Sequence, residues 1–371
     1  MRTALASYDN SDFDPGGSAW QRAGWYALNA LVFRASWLPL SAPKRWLLRS
    51  FGAKIGRDVV IKPGVAIKYP WHLEVGDHVV LSFIPSCGKC PPCQSGMANL
   101  CDLGMYLLQG EAISDHTFRI QTPDGANVYP MTLLGTFSPY MVVHEASVVK
   151  IDKDIPFEVA ALCGCGIPTG YGSSTRSGDV RPGEDVAIIG VGGVGTAALQ
   201  GAIIAGARNV FAVDPVEWKR EQALKFGATK AYATIEEAMA DIAGITAGGM
   251  CKKVIVTVGE VHGKDIDDWM NLTSKGGTCV LTGMGSMLDT EVTLNFSMLT
   301  LMQKNLQGTI FGGANPKLDI PMLLSMYKAG KLNIADMITR EYRLDQINEG
   351  YTDMLEGRNI RGVIRYTEED W

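Results

Sequence analysis

The chain has 371 residues, which is long enough for two or three domains with a substantial core. Hydrophobic residues make up 46% of the sequence and charged residues 20%, proportions typical of a soluble globular protein. The net charge of -5 argues against a nucleic-acid-binding protein, which would present a basic face, so we expect no nucleic-acid partner.

The N-terminal region predicts neither an export signal nor a membrane span. One early arginine is followed by polar and acidic residues, which is not the pattern of a secretory signal. The most apolar early stretch, residues 23 to 40, is interrupted by Asn29 and Arg34 and ends among prolines. A span needs about 20 apolar residues, so we expect an amphipathic or packing helix, with a membrane-surface role as the alternative.

The composition changes near residue 78. Residues 1 to 75 contain five of the eight tryptophans, no cysteine and an excess of basic residues, whereas the remainder is acidic. Such asymmetry between segments indicates different origins or different surfaces. We therefore expect a separate N-terminal segment over residues 1 to 78.

This segment also contains a six-residue repeat. Aliphatic residues recur at Ile55, Ile61, Ile67, Leu73 and Val79, a period typical of a β-helix. Residues 18 to 79 resemble the start of a hexapeptide-repeat acyltransferase of the polysaccharide-biosynthesis type. The resemblance rests on the repeat and on three segments that begin at residues 49, 61 and 69: RSFGAKIG, IKPGV and YPWHLEVGD. That family's catalytic histidine lies in later coils, so acyl transfer is not expected here.

Four cysteines follow at short spacings. Cys87, Cys90, Cys93 and Cys101 form the pattern C-x2-C-x2-C-x7-C, with glycine and proline between the ligands. Four thiolates suit tetrahedral Zn2+ and leave no position for water or substrate, so the pattern predicts a structural zinc site. The eight cysteines without an export signal favour a reducing, cytoplasmic location, where paired disulfides are the poorer alternative.

From residue 185 onward, short aliphatic runs alternate with helical stretches. The runs predict strands over residues 186–190, 210–213, 253–256, 278–282 and 307–311, and helices over 194–205 and 216–226. This alternation indicates a doubly wound parallel sheet.

A glycine fingerprint joins the first of these strands to its helix. In Gly190-x-Gly192-x-x-Gly195 the glycines permit a tight turn, close approach of a pyrophosphate and close helix packing, and we include the intervening Gly193 and Val194 among the predicted cofactor contacts. Asp214, nineteen residues beyond Gly195, is placed to accept from ribose hydroxyls and to repel a 2′-phosphate, which favours NAD(H) over NADP(H).

These motifs, with CGIPTGYG beginning at Cys165, make residues from about 76 to 371 resemble the medium-chain, zinc-dependent alcohol dehydrogenases, and especially the nicotinoprotein, nitrosoaniline-dependent type. The resemblance implies hydride transfer between an alcohol or aldehyde and NAD(H). It implies that Cys165 is a catalytic zinc ligand and that Thr169 lies beside the nicotinamide. It also implies that Lys219 lies near the adenosine ribose and that Arg361 contacts the pyrophosphate.

The family's other catalytic zinc ligands have no counterpart in the sequence. They come from Cys-x-Ser/Thr-Asp and Gly-His-Glu stretches before the four-cysteine lobe, and residues 1 to 86 contain no cysteine. Cys163 is expected to be a buried free cysteine, with a Cys-x-Cys ligand pair as the alternative, and His144 is expected to be structural. We therefore expect impaired activity. The alternatives are a non-catalytic NAD- and zinc-binding pseudoenzyme or fused gene product and, third, a hexapeptide-repeat acyltransferase remnant.

The predicted fold class is α/β, with a Rossmann sheet, an incomplete GroES-like β domain that carries a structural zinc lobe, and an N-terminal helix with β-helix-like hexads. The predicted domains are residues 1–78, 79–166 (partial GroES-like), 167–310 (Rossmann) and 311–371 (return to the GroES-like domain). The chain looks chimeric, with its join at residues 76 to 79. By analogy with the resembled family we expect a homo-oligomer that associates through the dinucleotide domain.

Overall fold

The computed structural model describes residues 17–34, 40–55, 74–118, 120–367 and 370. The chain divides into two compact units, Met1–His78 and Val79–Trp371. The division falls where the composition of the sequence changes. Within the described ranges, none of the helices combines the length and apolarity that crossing a membrane requires.

The first unit has a small aromatic core. Its described elements are α1 (Ala19–Leu28), a π-helical turn (Asn29–Arg34), α2 (Ser41–Ser50) and the parallel pair β1 (Lys54–Ile55) and β2 (Glu74–Val75). Ser18 caps α1 by accepting a hydrogen bond from the backbone N–H of Gln21. The buried Trp25 packs its ring 5.1 Å from that of Phe33, so the early apolar stretch forms packing helices.

The hexad repeat falls largely outside the described residues. Ile61, Ile67 and Leu73 are not among them, and β1 pairs in parallel with β2 across the intervening segment, Lys54 opposite Glu74. The β-helical interpretation of these residues stays a prediction.

The second unit contains the remaining strands and helices. The strands that follow β2 are β3 (His78–Leu81), β4 (Ile120–Gln121), β5 (Asn127–Val128), β6 (Val148–Ile151), β7 (Asp185–Ile189), β8 (Asn209–Val213), β9 (Lys230–Tyr232), β10 (Cys251–Val256), β11 (Thr273–Leu281), β12 (Asn305–Gly308), β13 (Ile338–Tyr342) and β14 (Arg361–Ile364). The α-helices are α3 (Pro91–Gln94), α4 (Phe157–Leu162), α5 (Gly166–Gly172), α6 (Gly193–Ile204), α7 (Glu217–Lys225), α8 (Ile235–Ile245), α9 (Ile266–Leu272), α10 (Phe296–Leu301), α11 (Pro316–Lys328) and α12 (Ile347–Leu355).

Six parallel strands form the central sheet in the order β12-β11-β10-β7-β8-β9. This is the doubly wound order of dinucleotide-binding sheets, with the strand order reversing beside β7. All five residues of β7 are buried, because helices cover both faces of a parallel sheet. Apolar clusters lie on each side of the sheet, as the alternation of aliphatic runs and helices predicts.

Two predicted strands differ from the observed ones. β12 spans Asn305–Gly308 instead of residues 307–311, and Phe311 lies in a 3-10 turn with a φ of 56°, where the chain leaves the sheet. β11 begins at Thr273, directly after α9, five residues before the predicted start at residue 278. The polar, glycine-containing start of β11 has no strand-like alternation, so its sequence does not mark it as a strand.

The rest of the second unit contains small sheets around a third apolar cluster, which also includes Ala197 of α6. β3 pairs with β6, β4 with β5, and β13 with β14, each as a two-stranded sheet among the described residues. Their core combines residues of β6, α4, α11 and β14, including Val149, Val159, Leu323 and Val363. Residues before and after the central sheet therefore share one core. The division into 79–166 and 311–371 stays a prediction.

Candidate functional site

The four cysteines of the lobe converge. Their sulfur atoms all lie within 4.8 Å of one another, with Cys87 Sγ 4.0 Å from Cys93 Sγ and Cys90 Sγ 3.8 Å from Cys101 Sγ. Zinc–sulfur bonds of about 2.3 Å in a tetrahedron place the sulfur atoms about 3.8 Å apart, whereas a disulfide bond is about 2.05 Å long. The spacing therefore fits four thiolates around one Zn2+ and does not fit disulfides.

The backbone of the lobe also favours thiolates. The N–H groups of Lys89 and Cys90 each donate to Cys87 Sγ at 3.4 Å, and the Lys89 bond is the main reason that the pKa of Cys87 falls to about 6. Burial raises the pKa of Cys101 to about 12, and a bound dication would favour its thiolate. Gly88, with a φ of 73°, lets the chain turn between the first two ligands.

The glycine loop between β7 and α6 has the geometry that a dinucleotide requires. Gly190 has a φ of 83°, and space lies open where Gly192 would carry a Cβ, so a ligand phosphate can approach the backbone. A Cβ on Gly195 would overlap the carbonyl oxygen of Gly190, so only glycine allows α6 to lie this close to β7. Gly193 and Val194 form the first turn of α6, whose N–H groups face the same opening.

Asp214 closes one side of this loop. It follows β8, is 5% exposed, and accepts hydrogen bonds from the backbone N–H groups of Val191 and Val216, both at 2.9 Å. Each carboxylate oxygen keeps a further lone pair for a hydroxyl donor. Lys219 lies in α7. A Cβ on Gly357 would lie 3.4 Å from its Nζ, so the ammonium lies beside the turn that precedes Arg361.

Arg361 brings a positive charge to the start of α6. A Cβ on Gly193 would overlap Nε of Arg361, and a Cβ on Gly166 would overlap its Nη2. The guanidinium therefore lies directly against the backbone at Gly193. A helix N-terminus and a guanidinium together form an anion site suited to a pyrophosphate.

Cys165 and Thr169 lie at the start of α5. The hydroxyl of Thr169 donates to the backbone carbonyl of Cys165 at 2.6 Å. Cys165 is exposed as a whole residue, yet desolvation of its thiol raises its pKa, and the charge of Arg361 opposes that shift. The neighbour of the predicted catalytic zinc ligand is thus a cation.

Cys165 does not belong to a group of candidate metal ligands among the described residues. Among the described residues, the four-cysteine lobe is the one group of three or more suitable side chains close enough together to hold a metal ion, and Cys165 is not part of it. Cys163 is fully buried in the apolar core. The Nδ1 atom of His144 accepts from the N–H of Ala146, a capping role. His116 and His262 are exposed in loops.

Sequence reasoning missed two contributions to the site. The hydroxyl of Thr257, directly after β10, donates to the carbonyl of Gly190 at 2.5 Å and supports the glycine turn from the next strand. In the sequence, this role is indicated only by the position of a threonine directly after an apolar strand that neighbours the glycine-fingerprint strand. The second contribution is the set of buried polar side chains beside Arg361, described below, which no local pattern marks.

Comparisons with known proteins agree with this geometry. The family model for zinc-binding dehydrogenases matches residues 193–329, and the model for the alcohol dehydrogenase GroES-like domain matches residues 54–153. The second match begins before Val79, and the comparisons lend no support to the acyltransferase interpretation of residues 18 to 79.

Individual relatives and solved structures point the same way. Alcohol dehydrogenase B of Mycobacterium tuberculosis is 69% identical over 86% of this chain and 84% of its own. The NDMA-dependent alcohol dehydrogenase of Amycolatopsis methanolica is 44% identical over 86% of this chain and 83% of its own. The benzyl alcohol dehydrogenase of Acinetobacter calcoaceticus superposes with a TM-score of 0.69 at 28% identity, over 84% of each chain. The chain belongs to the zinc-dependent, medium-chain alcohol dehydrogenase family.

Proposed function

We propose that this family member binds NAD(H) in preference to NADP(H), carries one structural zinc, and transfers hydride between a small alcohol or aldehyde and NAD(H) with impaired efficiency. The observation that carries the dinucleotide part is the joint position of Asp214 and Arg361 at the glycine loop. One offers a carboxylate to ribose hydroxyls, and the other offers a guanidinium to a pyrophosphate.

Each of these residues has a separate part in binding. Asp214 accepts from the adenosine ribose and repels a 2′-phosphate. Arg361 and the first turn of α6 hold the pyrophosphate, and Lys219 adds positive charge near the ribose. Thr169, whose hydroxyl donates to the carbonyl of Cys165, would lie beside the nicotinamide.

The impaired efficiency follows from the surroundings of Cys165. In this family a zinc ion held by three protein ligands polarises the alcohol oxygen. Among the described residues Cys165 has a guanidinium as its charged neighbour and no partner ligand group. A single thiolate beside a cation holds a metal poorly, so we expect slow turnover. The same observation favours a second candidate function, a non-catalytic NAD- and zinc-binding pseudoenzyme or fused gene product.

Two measurements separate these functions. NADH and NADPH binding to the full chain is followed by titration calorimetry, with NADH expected to bind more tightly. Oxidation of primary alcohols and reduction of aldehydes are then assayed with the wild type and Cys165→Ala. Weak activity that the variant abolishes supports the impaired dehydrogenase. A turnover number at the level of a typical enzyme, about 10 per second, contradicts the impairment. Absence of NADH binding contradicts both candidates.

We also propose a domain division at residues 1–78, 79–166, 167–310 and 311–371, with the first segment of separate origin. The change in composition near residue 78 and the unit boundary at His78 support this division. None of the eight cysteines forms a disulfide, which supports a cytoplasmic location.

Association of copies through the dinucleotide domain is proposed as well. β12 ends the central sheet, all four of its residues are exposed, and Leu306 and the nearby Leu301 add apolar surface to this edge. An unprotected edge strand of this kind invites pairing with a second copy. Light scattering of the purified chain tests this proposal, since a monomer at micromolar concentration would contradict it.

A further inference from the structure

Tyr342, the last residue of β13, lies buried beside the strand that carries Arg361. It is 7% exposed, and its ring packs between two glycines. A Cβ on Gly350 would lie 3.4 Å from Cδ2 of the ring, and a Cβ on Gly362 would lie 2.5 Å from Cε2. Any larger residue at position 362 would displace the ring, so the tyrosine position is closely defined.

The hydroxyl of Tyr342 connects two other buried polar side chains. It donates to Oδ2 of Asp353 at 2.7 Å and accepts from Nδ2 of Asn359 at 3.2 Å. Asp353 is 5% exposed and Asn359 7% exposed. Arg358 completes the set by donating from Nη1 to the other oxygen of Asp353 at 3.3 Å. Buried polar groups that satisfy one another in this way are rigid, because breaking one bond leaves an unpaired group.

This network ends two residues before Arg361. The backbone N–H of Ile360 donates to the hydroxyl of Thr339 in β13 at 3.0 Å, and Arg361 then begins β14 opposite Ile338. The chain entering Arg361 is thus held through the Asn359 side chain and through the Ile360 backbone. Beyond this point the guanidinium lies against Gly193 at the start of α6.

We propose that Tyr342 and Asn359 are positioning residues for Arg361, and that their hydrogen bond sets the affinity of the site for the pyrophosphate part of a dinucleotide. This inference rests on the proposed function, because it requires that Arg361 binds the pyrophosphate. Tyr342 and Asn359 act through the placement of the guanidinium, whereas Asp214, which would take the adenosine ribose, is held by the backbone N–H of Val191.

The test compares a ligand that has a pyrophosphate with one that lacks it. Titration calorimetry of the full chain with NADH, ADP-ribose and adenosine is performed for the wild type, Tyr342→Phe, Asn359→Ala, Arg361→Ala and the double variant Tyr342→Phe/Arg361→Ala. Tyr351→Phe is the matched control, because it removes a hydroxyl from a 43% exposed tyrosine in α12 of the same region.

Tyr342→Phe removes the hydrogen bond to Asp353 and the neutral hydrogen bond from Asn359. Loss of the Asn359 bond, which holds the chain entering Arg361, is expected to weaken ADP-ribose binding by about three- to tenfold. Adenosine binding stays within about twofold, and the control matches the wild type. In the Arg361→Ala background, Tyr342→Phe has no further effect, since residues that act through one another are not additive. Asn359→Ala removes the other partner of the same hydrogen bond and is expected to give the same pattern. It replaces Tyr342→Phe in the test if that variant folds poorly.

A purely structural role gives a different pattern, in which Tyr342→Phe weakens adenosine as much as ADP-ribose, or weakens ADP-ribose equally in both backgrounds. Either result overturns the inference, as does wild-type ADP-ribose affinity in both Tyr342→Phe and Asn359→Ala. Unchanged NADH binding by Arg361→Ala, or no binding by the wild type, overturns the proposed pyrophosphate site itself. The failure of the positioning role is therefore distinguishable from the failure of the function.

Discussion

The carboxylate of Asp214 accepts a hydrogen bond from the backbone N–H of Val191 at 2.9 Å, although 23 residues separate the two in the chain. Val191 lies between the first two glycines of the fingerprint, so this bond fixes the loop against the end of the neighbouring strand β8. One side chain thereby shapes the glycine loop and, under the proposed function, would also offer an acceptor to the ribose.

Asp214→Asn is expected to weaken NADH binding by about tenfold or more, because hydrogen bonds to a charged group contribute about 1.5–3 kcal/mol. The preference for NADH over NADPH narrows as well, since the amide no longer repels a 2′-phosphate. Calorimetric titration with both dinucleotides checks this prediction. Asp179→Asn, in an exposed ion pair with Arg181, is the control, and an unchanged NADH/NADPH ratio in Asp214→Asn would refute the assignment.

Two glycines of the fingerprint are expected to respond differently to alanine. Gly195→Ala places a methyl group on the Gly190 carbonyl and lowers the free energy of unfolding by about 1–3 kcal/mol. Gly192→Ala meets open space, so the fold keeps its stability while NADH binding weakens. Thermal melts and NADH titrations of both variants check this difference. Equal destabilisation by the two substitutions would show that the third glycine has no special packing role.

The zinc lobe is expected to contribute to stability and not to hydride transfer. Loss of a structural metal is among the changes that lower the free energy of unfolding by about 4 kcal/mol or more. Cys93→Ser is therefore expected to lower Tm by about 10 °C. Cys165→Ser is the matched control, and it keeps both the lobe zinc and the wild-type Tm. Differential scanning fluorimetry and metal analysis check the pair of variants. Wild-type zinc content in Cys93→Ser would contradict the four-cysteine assignment.

Asp353 is expected to make stability depend on acidic pH. The hydrogen bond from Tyr342 is the main reason that the pKa of Asp353 lies below its usual range, and Arg340 and Arg358 also lower it. A carboxyl whose folded pKa is depressed stabilises the fold above its unfolded pKa of 3.8 and loses this contribution as pH falls through the folded value. Asp353→Asn is therefore expected to lower Tm at pH 7. The difference in Tm between the variant and the wild type becomes smaller below about pH 4. Melts across pH 7 to pH 3 check the trend, and a constant difference would argue against it.

The sequence predicts those parts of the site whose residues are close together in the chain. Cys87 to Cys101 and Gly190 to Gly195 each occupy one short loop, so spacing alone indicates their chemistry. The position of Asp214 follows from the strand–helix–strand unit. Arg361 was assigned by resemblance only, because its contact with Gly193 depends on how β14 packs against the distant α6.

Tertiary packing determines the features that the sequence did not predict. Tyr342, Asp353 and Asn359 look like ordinary polar residues of a strand, a helix and a loop, and only the packing of α12 on β13 and β14 buries them together. The start of β11 at Thr273 depends on pairing with Cys251 and on a register shift before Lys253, which no local alternation marks.

We propose that this family member has a dinucleotide site and a structural zinc lobe but an incomplete catalytic metal site. The most direct test is the number of zinc ions per chain, measured by elemental analysis of folded, NADH-saturated protein. One zinc per chain is expected, retained in Cys165→Ala and lost in Cys93→Ser. Two zinc ions in the wild type, with one lost in Cys165→Ala, would contradict it, because a catalytic zinc would then be held at Cys165.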